Sequence, residues 1–160
     1  LRALWAGWSL GGLFALHAAA SRPAAVRGLA MLCASPRFVR GDEWKYGMSP
    51  EIFRDFATGL RDDYRGTLDR FIALEAFGSD DARGELRTLR AEVFSRGDPA
   101  AHVLADGLEL LETADLRDAL PALSVPSLWI DEGFPKSSVI ARTAAVTASG
   151  QGFVVDALSR

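Results

Sequence analysis

Leu1 to Leu13, LRALWAGWSLGGL, is the stretch whose reading decides the fold. Leu1 to Ala6 has the apolar run of a strand, and Gly7-Trp8-Ser9-Leu10-Gly11-Gly12 has the small residues of a tight turn. Leu13 to Ser21 is an Ala- and Leu-rich helix that Pro23 stops. The turn contains the pattern G-x-S-x-G. In so sharp a passage from strand to helix, side chains two residues before and after the serine would collide, so Gly7 and Gly11 are read as removing them. Ser9 is then exposed at the carboxyl end of the strand, where the following helix directs unpaired N–H groups and a positive dipole toward a reacting group. The pattern predicts Ser9 as a nucleophile and the Leu10 N–H as one oxyanion donor, an interaction worth about 3 kcal/mol of barrier. Glycine is common enough for G-x-S-x-G to arise by chance, and its position between strand and helix is what gives it weight.

Outward from the turn, Val26 to Ala34 (VRGLAMLCA) is a continuous apolar run of the kind buried on both faces of a parallel sheet. Arg37 to Gly47 reads as a polar loop. Ser49-Pro50-Glu51 then supplies an N-cap, a first-turn proline and a first-turn acid. Ile52, Phe53, Phe56 and Leu60 form one helical stripe, and Tyr64, Leu68, Phe71 and Ile72 a second. Ser79-Asp80-Asp81 starts a third helix with Leu86, Leu89 and Val93 inward, and Asp98-Pro99 a fourth with Val103, Leu104, Leu108 and Leu111. Four helices in succession do not extend a sheet; they form a helical cap inserted between strands. Thr113 to Leu120 is expected to be a short helix, Val125 to Ile130 a returning strand, Arg142 to Ala148 a helix, and Gly152 to Ala157 a last strand. The expected division is a core segment at 1–35, the cap at 36–112 and a second core segment at 113–160.

The 160 residues are 49% apolar, with mean hydropathy +0.08, enough for a packed single domain. A net charge of −3 and a pI near 5.4 argue against a nucleic-acid partner, and no segment has the roughly 18 apolar residues that span a bilayer. The one cysteine, Cys33, lies in an apolar run and has no partner for an internal disulfide, which points to a reducing cytosol.

A nucleophilic serine needs a base, and the base an orienting acid. There are two histidines. His17 follows Ser9 on the same helix, about 12 Å along its axis, too far to take the serine proton. His102 lies in the helical insert and is not expected to serve.

GWSLGGL, together with Ser35-Pro36 and Phe38, Asp42-Glu43-Trp44, DDYRGTLDRFIALE at 62–75 and DGLELLETADLRDALP at 106–121, resembles the pimeloyl-carrier-protein methyl ester esterases of biotin synthesis, over about residues 3 to 130. The resemblance implies an α/β class, part of an α/β-hydrolase fold with a parallel sheet and a four-helix cap. It implies a monomeric, cytoplasmic serine carboxylesterase without metal or cofactor, acting on acyl carrier protein that bears a pimeloyl methyl ester. Ser9 matches the nucleophile and Leu10 the oxyanion residue. Arg70, Arg83 and Arg87 match arginines offered to the acidic carrier, while Gly66 stands at another such position with Arg65 beside it. Arg83, Arg87 and Arg90 share a helix face opposite Leu86, Leu89 and Val93, which suits an acidic partner; the alternative is an ordinary solvated face beside Glu85 and Glu92.

The departures fall at the catalytic partners. The family's acid follows the strand matched by Leu128 to Ile130, where Asp131 is the candidate, and its histidine falls near Leu158 to Arg160, where none stands. The expectation is therefore of a portion of a longer enzyme, with early strands and a second oxyanion donor outside it and little turnover alone. Two other readings remain: a generic esterase or C–C hydrolase on small acyl substrates, and a noncatalytic module that binds carrier protein through its arginines.

Overall fold

A computed structural model describes residues 1–75, 82–130, 141–146 and 152–157, the last two stretches as backbone. Its elements are β1 (Ala3–Trp8), α1 (Leu10–Ser21), β2 (Val26–Leu32), α2 (Pro50–Asp62), α3 (Tyr64–Glu75), α4 (Ala82–Ser95), α5 (Ala101–Thr113), β3 (Ser127–Ile130), β4 (Ala141–Val146) and β5 (Gly152–Ala157). They form two compact units, one comprising Leu1–Gly47 with Leu110–Arg160 and the other Met48–Glu109. Among the described residues no helix is long and apolar enough to cross a membrane.

The first unit is built on a sheet of order β1-β2-β3-β4-β5. β1, β2 and β3 are parallel, as expected from the long crossovers between them. β4 and β5 are antiparallel to their neighbours, so the sheet is mixed rather than purely parallel and has five strands. The connections explain this. The links from β3 to β4 and from β4 to β5 are both shorter than the dozen or more residues a parallel crossover needs. Residues 141–146, expected as the start of a helix, instead pair along both edges, where Thr143 and Val146 suit a strand. The helix expected at 113–120 reduces to one 3₁₀ turn, Arg117–Ala119, because α5 runs on to Thr113.

α1 packs Ala15, Leu16 and Ala19 against Val26, Leu29 and Met31 of β2 and against Val125, with Leu16 and Met31 wholly buried. Each large side chain so buried contributes about 1.5–3 kcal/mol. β1, by contrast, is an edge strand whose Leu4, Trp5 and Trp8 are exposed.

In the second unit Ser49 caps α2 by accepting from the Ile52 N–H at 3.2 Å, and Asp63 caps α3 by accepting from the Gly66 N–H at 2.9 Å. Phe53, Ala57 and Leu60 of α2 are buried, and Ile72 and Thr67 of α3 with them. Three expected inward residues point out: Ile52, Leu89 and Val103 are exposed. Among the described side chains of α4, Leu86, Arg90, Val93 and Phe94 are half-buried, a face turned about one residue from the expected one. Arg90 sits inward because Asp69 of α3 takes its guanidinium, with Nη2 donating to Oδ2 at 2.8 Å.

The turn between β1 and α1 is held by steric exclusion. A Cβ on Gly7 would lie 2.2 Å from the Gly11 carbonyl oxygen and 2.5 Å from the Gly12 nitrogen. One on Gly12 would lie 2.3 Å from the Ala34 Cβ. Gly11 was expected to be the second crowded position, but a Cβ there meets nothing within 4 Å. α1 starts at Leu10, so residue 11 already faces outward on its first turn, while residue 12 faces β2.

Where the chain leaves and returns to this unit, the two passages are tied. Arg37 Nη1 donates to Asp115 Oδ2 at 3.1 Å, and Arg117 forks onto the same carboxylate at 2.8 and 2.6 Å. These donors, the Arg117 side chain foremost, hold the Asp115 carboxyl down at about 2 from an ordinary 3.8.

Two outcomes follow. Because the folded value is the depressed one, the stabilisation due to Asp115 is complete above about pH 4 and is lost as pH falls toward about 2. The melting-temperature difference between the protein and Asp115→Asn should thus be constant at neutral pH and close over that acid window. In denaturant melts, Gly7→Ala should cost more than about 4 kcal/mol and Gly12→Ala about 1–3 kcal/mol. Gly11→Ala should be neutral or stabilise by up to about 1 kcal/mol, as alanine in a helix does.

Candidate active site

Ser9 stands at the carboxyl end of β1 as the residue before α1, with φ 51° and ψ −122°. That is a positive φ in a non-glycine residue, a conformation costing on the order of 1–3 kcal/mol. It is imposed from both sides. The Ser9 N–H donates to the Leu32 carbonyl of β2 at 3.0 Å, and its own carbonyl accepts from the Gly12 N–H at 2.9 Å. With the backbone fixed in this way the side chain makes no capping hydrogen bond. Ser49, also an N-cap serine, has φ −66° and ψ 144° and does cap its helix. The two serines show what the turn at Ser9 does: it withholds the hydroxyl from its own helix and leaves it half-exposed for other chemistry.

Among the described residues the Leu10 N–H, first in α1, has no backbone acceptor, as geometry demands of a helix start. It therefore offers a donor beside Ser9 at the positive end of a 12-residue helix. Ala34, on the segment after β2, closes against Gly12 on the other side of the turn. Cys33 takes a positive φ of 45° there while its N–H donates to the Ile130 carbonyl at 2.8 Å. Residues 33 and 34 thus form a wall beside the serine turn. No local signal marks this wall, since Cys33 and Ala34 read only as the end of an apolar strand.

Within the unit that carries Ser9, no described histidine is placed beside it. His17 is exposed on α1, two turns beyond the serine, and His102 is exposed on α5 within the second unit. Asp131, the candidate acid, lies outside the described residues. Among the described residues no group of three or more His, Cys, Asp or Glu side chains is placed to hold a metal ion.

The arginines separate into engaged and available. Arg65 pairs with Asp98 at 2.9 Å and lies 5.4 Å from the Phe94 ring centroid. Arg70 donates to Thr67 Oγ1 at 2.8 Å and sits 3.8 Å from Asp63. Arg87 is exposed on α4 and has no ion pair among the described residues. Arg83 belongs to the first turn of α4, with its side chain outside the described residues. Gly66 leaves room for the capping carboxylate, since a Cβ there would lie 2.0 Å from Asp63 Oδ2.

No family model matches the chain. Among curated proteins it is 50% identical over 156 residues to a pimeloyl-[acyl-carrier protein] methyl ester esterase of Stenotrophomonas maltophilia, a match covering 96% of this chain and 60% of that one. It is 60% identical over 128 residues to the protein of the same name from Xanthomonas oryzae pv. oryzae, covering 80% of this chain and 50% of that one. The chain thus spans half to three fifths of the length of the curated relatives it matches. Of solved structures, the enol-lactonase of Burkholderia xenovorans LB400 superposes with a TM-score of 0.63 at 27% identity, covering 81% of this chain and 46% of that one. An esterase from Exiguobacterium antarcticum, at 24% identity, shares the fold with a TM-score of 0.65 over 78% of this chain and 46% of its own. By sequence the chain is similar, over half to three fifths of their length, to proteins named pimeloyl-[acyl-carrier protein] methyl ester esterase, and its fold is part of an α/β-hydrolase fold.

Proposed function

We propose that Ser9 is the nucleophile of a carboxylesterase whose substrate is the methyl ester of a pimeloyl group carried on acyl carrier protein. The observation that carries the reading is the strained Ser9, its hydroxyl withheld from capping beside the unpaired Leu10 N–H. The names of the relatives at 50–60% identity supply the substrate class. In the reaction the Ser9 Oγ attacks the ester carbonyl carbon, and the charge gathering on the carbonyl oxygen is met by the Leu10 N–H. The bond to the methoxy oxygen breaks, the serine proton leaves with it as methanol, and water then releases the acyl group from Ser9 as a carboxylate. Asp131 is the proposed acid partner. Little turnover is expected of the 160-residue polypeptide by itself, because His17 lies two turns beyond Ser9 along α1 and the other histidine, His102, belongs to the helical insert.

Arg87 and Arg83 are the proposed contacts for the acidic carrier. Support comes from Arg87, exposed and with no ion pair among the described residues, whereas Arg65 and Arg70 already satisfy neighbouring carboxylates. The same feature favours the second reading, a module that binds carrier protein without catalysis. A reducing cytosol suits a chain whose one cysteine is Cys33.

Residues 3–130 grafted in place of the matching stretch of the Stenotrophomonas maltophilia relative should give a chimera that hydrolyses the carrier-bound methyl ester. Ser9→Ala in that chimera should lower kcat by about 10⁴-fold or more; turnover that survives the change removes Ser9 from the mechanism. Titrated with acyl carrier protein, Arg87→Glu should weaken binding about tenfold and flatten its salt dependence, while Arg65→Glu changes it less. Carrier binding that survives Ser9→Ala in a graft without turnover selects the binding module over the esterase.

A further inference from the structure

The wall beside the serine turn is short and has no regular structure, yet it is anchored from outside. Ser35 Oγ donates to the Arg37 carbonyl at 2.8 Å, and the Trp44 Nε1–H donates to the same carbonyl at 2.9 Å. Arg37 Nε donates to the Val39 carbonyl at 3.0 Å. Gly41 admits the guanidinium, for a Cβ there would lie 2.6 Å from Arg37 Nη2. From the returning passage, the Leu116 N–H donates to the Pro36 carbonyl at 2.9 Å. Asp115 takes both Arg37 and Arg117, and Arg117 reaches onward to the Glu43 carbonyl at 3.1 Å while its guanidinium lies 5.5 Å from the Trp44 ring centroid. Every one of these groups belongs to the unit that carries Ser9.

Arranged this way, the contacts close a loop of interactions through two stretches of chain far apart in sequence. The wall continues through Ala34, packed on Gly12, to the turn itself, where the Leu32 carbonyl takes the Ser9 N–H. We propose that Arg37, Trp44, Asp115 and Arg117 are positioning residues that fix the segment 33–37 and, through Ala34 and Leu32, the orientation of Ser9. The proposal rests on Ser9 being the nucleophile only for its catalytic meaning; the mechanical coupling stands on the contacts. A bidentate arginine that also stacks on an aromatic ring suits the task, since its planar fork sets direction as well as charge.

The test is amide NMR on the intact chain carrying Asp115→Asn. Exchange at Cys33, Ala34, Ser35, Arg37 and Leu116 should quicken about tenfold, the consequence of losing a charge-assisted hydrogen bond, and the Ser9 and Gly12 amide resonances should shift. Leu16 and Ala19 in the core should exchange as before. Arg117→Lys, which keeps the charge and loses the fork, should reproduce the pattern. Trp44→Phe, removing only the indole donor and so the mildest change, should reproduce it in weaker form. Unmoved Ser9 and Gly12 resonances alongside an opened 33–37 would reduce the cluster to a staple and overturn the proposal. So would opening that spreads to Leu16 and Ala19. Ser9→Ala should leave exchange at 33–37 unchanged, so loss of the nucleophile reading in turnover assays and loss of the coupling in NMR are separate results.

Discussion

The approach of Gly7 to the first turn of α1, so close that a Cβ would lie 2.2 Å from the Gly11 oxygen, is the constraint on which the serine-bearing unit depends. It lets the chain reverse from β1 into α1 with a single residue between them. That residue, Ser9, takes the conformation no other part of the turn absorbs. The reversal lays α1 against β2, and the buried Leu16 and Met31 are the result of that placement. Local exclusion at one glycine thus decides where the helix goes, which strand it covers and which side chain is left at its start.

The parts legible in the sequence were those written in local chemistry. The serine turn announces itself by spacing, and Ser49-Pro50 by its capping chemistry. Four helices between β2 and β3 were readable from their periodicity. What escaped was decided across distance. Gly11 and Gly12 are adjacent glycines with the same composition signal, and only the packing of Ala34 tells which one has no room for a side chain. Residues 141–146 lean helical by their alanines, yet two strand partners overrule that preference. Leu89 and Arg90 exchanged expected places because Asp69 on α3 compensates a guanidinium turned inward. The cluster about Asp115 joins residues 37 and 115, which no spacing rule links.

Electrostatically the two units handle their arginines in the same way. Arg37 and Arg117 converge on Asp115, Arg65 goes to Asp98, and Arg90 to Asp69. Solvent screens pairs of this kind, so their effect is on direction more than on energy. They tie loop to loop and helix to helix in a chain whose net charge is −3. Arg87, which has no ion pair among the described residues, presents its charge outward.

The strain at Ser9 has an evolutionary side. A glycine at that position would adopt φ 51° without penalty and would serve nearly as well before the helix. With Ser9 in its proposed role, folding and chemistry pull residue 9 in opposite directions, a trade-off between stability and activity confined to one side chain. A lineage relieved of selection on turnover gains stability by losing this serine. On the proposed role of Ser9, a laboratory selection for heat resistance alone would erase the serine, and a selection for turnover would keep it.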